Sequence, residues 1–364
     1  MKIAPFKIEE WMNRYESSAI YDLSGTCIKP FSLRELCEII PDEIMGKNLD
    51  YGDIEGSLRL KNAIKSLYFN QEVANITVTH GAIGANQLIF LSLLEKGDEV
   101  ISIVPTYQQH YSIPEAMGAN VKLLYLKEKN NWLPDIEELL MKVSSKTKLL
   151  CLNNPNNPTG AVIPDEMLKE IVQIAQKYNF WILSDEVYRG LNLVGNSYSL
   201  SVADIYEKGI SVGSMSKTYS LPGLRVGWVV AREDLINEIN HQRQYNTISV
   251  SILDDYFASI ALEERNSIAL RNFEIMRSGL STLESWVNGE LFVDCVLPKG
   301  GTTAFIRYKK DIPSRDFARN LQRATGVATV PGEVFELEGY LRIGYCSGML
   351  KHALNLISEY IREI

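Results

Sequence analysis

From about Asn75 onward the chain repeats one rhythm, a short β-rich run followed by a helical pattern and then another such run. The runs are "ITVTH", "EVISIV", "KLLCLN", "FWILSD", "GISVGS" and "VGWVVA". Strands that alternate with helices favour crossover units over hairpins, so the expected fold is α/β, with a doubly wound, mostly parallel sheet covered on both faces. Between the third and fourth runs lies "PDEMLKEIVQIAQKYN". Pro164 suits a helix start, and Met167, Leu168, Ile171, Val172 and Ala175 are spaced to share one buried face. That segment is the expected crossover helix.

The rhythm weakens before residue 48 and changes after residue 245, where a long helical stretch gives way to "LFVDCVLPKGGTTAFIRY" and "GYLRIGYCS". The expected division is a large α/β domain over 48–245 and a smaller α+β domain built from 1–47 and 246–364. A chain of 364 residues is long enough for two such cores. The net charge of -8 disfavours a nucleic-acid partner, which requires a basic face. Cys27, Cys37, Cys151, Cys295 and Cys346 are scattered and form no CxxC pair, so neither a disulfide framework nor a metal site is expected. No apolar run is long enough to span a membrane, and the opening "MKIAPFKIEEWMNRYE" has no signal core. The expectation is a reduced, cytoplasmic protein.

Chemistry is concentrated at strand ends. "CLNNPNNPTG" stops a strand in Asn and Pro and leaves the Asn157 amide at the edge, while "WILSDEVY" ends a strand on Asp185, with Tyr188 three residues on. "VTHGAIGANQL" turns from strand into helix, and "SVGSMSKTYSLPGLRVGW" carries Lys217 and Arg225. Each has a bland reading as a turn, a helix cap or a solvated side chain. In an open α/β sheet, however, ligands bind beyond the carboxyl ends of the strands, so these elements can face one crevice. The S-x-x-K pattern at Ser214–Lys217 lacks the companion motifs of acyl-serine enzymes. Ser216 stands where a Walker A loop needs glycine.

"NNPNNPTG", "SDEVY" and "SMSKTYSLPGLRVGW" resemble signature blocks of the fold-type I pyridoxal-phosphate enzymes, specifically the class I/II aminotransferases. The resemblance implies pyridoxal 5'-phosphate as cofactor, joined to Lys217 as an imine, with Lys217 later moving a proton. It implies Asp185 at the pyridine nitrogen, Asn157 and Tyr188 at the ring oxygen, and Tyr107 stacked on the ring. Phosphate would be held by Ser214, by Arg225 and by the backbone of Gly81, Ala82 and Ile83. Tyr51, with Gly56 five residues on, would reach the phosphate of a neighbouring subunit, which implies a homodimer. Arg342 in "GYLRIGY" would grip the substrate carboxylate, with Asn157 and Gly25 also at the substrate, Ser24 near it, and His110 behind Asp185. Arg225 is expected to lower the pKa of Lys217 toward neutrality.

The implied activity is transfer of an amino group between an L-amino acid and a 2-oxo acid. "IEEWMNRYE", "YDLSGTCIKPFS" and "VLPKGGTTAFIRY" also resemble the branch containing capreomycidine synthase. The alternative is therefore a lyase or cyclase acting on an amino acid, C-S lyase-like or capreomycidine synthase-like. No second arginine for a dicarboxylate side chain is legible.

Overall fold

The computed structural model describes residues 2–38, 44, 46 and 48–364. Its main sheet has seven strands in the order Ile76–His80, Val226–Val230, Gly209–Ser214, Trp181–Asp185, Thr147–Asn153, Glu99–Val104 and Asn120–Tyr125. All six runs read from the sequence are strands of this sheet. Six of the seven strands run in one direction; Val226–Val230 is antiparallel to both of its neighbours, so the rhythm alone does not give its direction.

The seventh strand, "NVKLLY", was not among the expected ones. It lies at the sheet edge, where only Leu124 is fully buried, so it has no apolar run to betray it.

Successive strand residues feed opposite faces. Ile101, Leu150, Leu152 and Ile182 pack with Leu168 and Ile171 of the crossover helix Asp165–Tyr178, which Pro164 precedes as N-cap. Val100, Leu149, Cys151 and Leu183 pack on the other side with Leu88 and Ile89 of helix Gly81–Leu93. The sheet is thus covered on both faces.

A second, antiparallel sheet has four strands, Val330–Pro331, Tyr340–Gly344, Thr303–Tyr308 and Val293–Asp294. The N-terminal segment lies beside it in a separate two-stranded sheet. Tyr21–Asp22 pairs in parallel with Val327–Ala328, and Trp11 in helix Lys7–Tyr15 donates its Nε1–H to the Thr329 carbonyl at 2.9 Å. Helix Ile252–Glu263 instead packs toward the main sheet, its Ala258, Ala261 and Leu262 sharing a core with Val78 and Trp228.

Candidate active site

The site forms where the sheet topology gathers chain ends. Asn153, Asp185 and Ser214 are the last residues of three adjacent parallel strands, and helix Gly81–Leu93 opens directly after the strand ending at His80. Antiparallel Val226–Val230 begins at this same edge, with Val226 opposite His80 and Gly227 opposite Ser214. Arg225, one residue before it, therefore arrives beside Gly81. A Cβ on Gly81 would lie 2.8 Å from an Arg225 guanidinium nitrogen, and one on Gly227 would lie 2.4 Å from the Gly81 carbonyl carbon. Only glycines allow the helix start and the arginine to come together.

His80 gives that helix no side-chain cap, so its first N–H groups are left for an anion beside Arg225. Ala82, Ile83, Ser214 and Arg225 line a cavity of about 540 Å³ there. The same cavity reaches Asn157, Asp185, Tyr188, Lys217, Tyr107 and Arg342.

Lys217 donates from Nζ to Thr26 Oγ1 at 2.5 Å and approaches Cys27 Sγ at 3.4 Å. Burial pulls its pKa down, but Tyr188 and Cys27 more than offset that, and the ammonium is held above the ordinary lysine range. Arg225 is not among the groups that shift it. The expectation of an amine lowered by Arg225 is corrected accordingly for the cofactor-free protein, because the guanidinium is turned toward Gly81 and Pro222. Burial raises the Tyr188 phenol, keeping it protonated at neutral pH.

Asp185 is buried. One of its oxygens, Oδ2, lies 3.3 Å from Asn86 Nδ2 and 3.4 Å from His110 Nε2. The other accepts from the Val187 N–H at 3.3 Å, so this acid holds the turn that follows its strand, where no helix starts, without leaving the cavity. Among the described residues Asn86 Oδ1 and His110 Nε2 have no hydrogen-bond partner, which leaves polar capacity around the carboxylate.

Arg342, 3% exposed, donates to Asn157 Oδ1 at 3.3 Å and to the Ser24 carbonyl at 2.6 Å, while its Nε is unpartnered. Tyr107 lines the cavity and donates its hydroxyl to Glu9 at 2.9 Å.

Two expected residues stand apart. Gly25 is not on the cavity wall; its neighbours Ser24 and Thr26 are, while the Gly25 carbonyl packs so close to Gly344 that a Cβ there would lie 2.1 Å away. Tyr51, 84% exposed, lines a different cavity of about 360 Å³ with residues of 248–252. Sequence reasoning missed Asn86, Asn153, Thr26 and the acidic helix face at Glu9. Asn86 could have been found as the amide that interrupts the apolar run of "GAIGANQLIF". Among the described residues no group of three or more His, Cys, Asp or Glu is arranged to hold a metal ion. None of the described helices is long and apolar enough to cross a membrane.

A family model for aminotransferase class I and II matches residues 26–358. The chain is 30% identical over 360 residues to capreomycidine synthase of Streptomyces vinaceus, which spans 97% of this chain and 92% of that protein. It is 33% identical over 297 residues to an aspartate aminotransferase of Pyrococcus horikoshii, spanning 79% and 75%. Among solved structures, a PLP-dependent aminotransferase from Streptococcus suis 89-1591 is 40% identical and superposes with a TM-score of 0.96 over 100% of this chain and 99% of that one.

Proposed function

The chain belongs to the class I and II aminotransferase family, and we propose that it transfers the amino group of an L-amino acid to a 2-oxo acid, with Lys217 as the covalent attachment point. The fold is that of the fold-type I enzymes and the cofactor is pyridoxal phosphate. The cavity fits that group: an uncapped helix start beside Arg225 suits a phosphate, and a buried carboxylate with spare polar neighbours suits a ring nitrogen. When bound, pyridoxal phosphate supplies an electron sink for the charge left when a bond to substrate Cα breaks.

The chain's own groups divide the remaining work. Arg225, Ser214 and the N–H groups of Gly81, Ala82 and Ile83 hold the phosphate. Asp185 keeps the ring nitrogen protonated, with His110 and Asn86 behind it. Asn157 and the neutral phenol of Tyr188 donate to the ring oxygen, and Tyr107 covers one ring face. Arg342 takes the substrate carboxylate on a planar, buried fork, which fixes the bond that breaks. Lys217, once free, moves the proton at substrate Cα, with Thr26 placed to hold its Nζ.

The observation that carries this reading is the convergence of Lys217, Asp185, Asn157, Arg225 and Arg342 on one cavity. A second reading, elimination or cyclisation by the same groups, is favoured by the capreomycidine synthase match over nearly the full chain. Mixing the holoprotein with a panel of amino acids separates the two. Conversion of the cofactor to its amine form with release of the matching 2-oxo acid supports transfer. Ammonia or a cyclised product with the cofactor unchanged supports the second reading.

We read the assembly as a homodimer in which Tyr51 completes the neighbour's phosphate site. The exposure of Leu49, Tyr51, Ile54, Leu58, Tyr245 and Ile248 supports a covered surface there. The proposed domain division stays at 48–245 against 1–47 with 246–364, helix Ile252–Glu263 lying against the larger part. Free Cys27, Cys151, Cys295 and Cys346 suit a reducing, cytoplasmic setting.

A further inference from the structure

The turn that carries Lys217 is tight and strained. The Lys217 carbonyl accepts from the Ser220 N–H at 3.3 Å, and Ser220 holds φ at 56°, a left-handed backbone that a residue other than glycine keeps only where its surroundings impose it. Two further carbonyls of the turn are taken by distant parts of the chain. The Thr218 carbonyl accepts from Asn272 Nδ2 at 2.9 Å, and the Ser220 carbonyl accepts from the Phe31 N–H at 3.2 Å.

Asn272 is fully buried within helix Arg265–Gly289 and is not on the cavity wall. Its Oδ1 accepts from Ser220 Oγ at 3.2 Å and from Arg271 Nη1 at 3.0 Å, so the amide has one orientation, with Nδ2 toward Thr218. One carboxamide thus grips the residues on either side of Tyr219, donating to one and accepting from the other. Arg271 ties the same helix to the stretch after Thr26: Nη2 donates to the Lys29 carbonyl at 2.8 Å, and the guanidinium carbon lies 4.1 Å from the centroid of the Phe31 ring. Thr26 in turn accepts from Lys217 Nζ. The lysine is therefore approached from one helix along two routes, its own backbone turn and the segment that meets its amine.

A buried asparagine that satisfies loop carbonyls is ordinarily a matter of stability. Here the carbonyls belong to the turn that aims the nucleophile, where a displacement of about 1 Å costs up to about 10²-fold in rate. We propose that Asn272 is a positioning residue for Lys217, holding the 217–220 turn so that Nζ meets the cofactor aldehyde. This rests on the attachment of pyridoxal phosphate to Lys217 proposed above. Asn272 lies off the wall that holds the phosphate and the ring, so its loss slows bond formation and leaves non-covalent affinity in place.

Pyridoxal phosphate and pyridoxamine phosphate separate the two effects, because the second has no aldehyde and binds without joining Lys217. With the full chain freed of cofactor, Asn272→Ala is expected to lower the maximal rate of covalent capture of pyridoxal phosphate, read by stopped-flow absorbance, about 10–100-fold. Calorimetric affinity for pyridoxamine phosphate should stay within about twofold of wild type. Ser220→Ala removes one contact to Asn272 and should slow capture about fivefold alone, the worth of one neutral hydrogen bond, and no further in the Asn272→Ala background. Where Asn272→Ala does not fold, the loss in Ser220→Ala at constant pyridoxamine phosphate affinity carries the test. Leu283→Ala, at a fully buried position further along the same helix, should lower the melting temperature with the capture rate unchanged. Unchanged capture in both variants, an equal loss of pyridoxamine phosphate affinity, or the same slowing in Leu283→Ala overturns the proposal. A wild-type chain that captures no pyridoxal phosphate overturns the attachment reading and this one together.

Discussion

His110 Nε2 lies 3.4 Å from Asp185 Oδ2, with the imidazole fully buried. The approach is not aligned as a hydrogen bond, and the other ring nitrogen is 3.3 Å from Thr106 Oγ1. The contact helps to give Asp185 a fixed place. Asp185→Asn is therefore expected to retain pyridoxal phosphate through the phosphate cradle while turnover falls about 10²–10³-fold, a span typical of losing one preorganised charge contact. Absorbance of the loaded protein and single-turnover rates check both halves. Full activity in that variant contradicts the assigned role.

Thr26 Oγ1 accepts from Lys217 Nζ at 2.5 Å, and the Thr26 carbonyl is itself held by Thr302 Oγ1 at 2.7 Å. Thr26 is a positioning residue in this arrangement. Thr26→Val should slow the proton-transfer step about tenfold or more, the worth of a hydrogen bond to a charged group, and Thr26→Ser should restore most of it. Substrate half-saturation should stay nearly constant while the plateau rate changes. Parallel loss in Val and Ser variants contradicts a hydroxyl role.

Much of this architecture was legible because apolar runs and turn residues obey local rules. The six buried strands, the Pro164 helix and the cluster at Asn157, Asp185, Lys217 and Arg225 all follow from strand ends that stop in polar residues. The edge strand Asn120–Tyr125 escaped because it opens on exposed Asn120 and half-buried Lys122 interrupts its apolar pattern. The direction of Val226–Val230 and the pKa of Lys217 escaped for a different reason. Both depend on what lies across space from them, and no spacing along the chain encodes that. Gly25 marks the same limit: it has its motif, but lies behind Ser24 and Thr26.

Protonation of Lys217 gives the cofactor-free protein a pH signature. Its pKa lies above the ordinary lysine value, so below that value only a small deprotonated fraction can attack an aldehyde. That fraction grows about tenfold per pH unit. Covalent capture of pyridoxal phosphate by the stripped protein, followed by stopped-flow absorbance, is expected to accelerate steadily from pH 7 to 9. A rate independent of pH in that window would mean an amine already free at neutrality.

Gly227 tests the phosphate cradle without touching a catalytic group. A Cβ there would meet the Gly81 carbonyl carbon at 2.4 Å and the Ala82 nitrogen at 2.6 Å, both backbone atoms that cannot swing aside. Gly227→Ala should push the helix start away from Arg225 and cost about 1–3 kcal/mol of stability through overpacking. The expected readouts are a lower melting temperature and weaker pyridoxal phosphate binding. Gly223→Ala, with nothing within 4 Å of its Cβ, serves as the matched control and should change neither.

The exposed Tyr51 provides the test of assembly. On the homodimer reading, a chain with Tyr51→Ala lends an intact Lys217 to a mixed dimer, and a chain with Lys217→Ala lends an intact Tyr51. Each variant alone has defective sites. Random remixing makes about half the dimers mixed, and each mixed dimer holds one site with both Lys217 and Tyr51 intact. About a quarter of wild-type activity should therefore return after mixing and subunit exchange. Sedimentation of the separate variants must show dimers for the test to count as exchange, and absence of any recovery from exchanged dimers would place Tyr51 outside the neighbour's site.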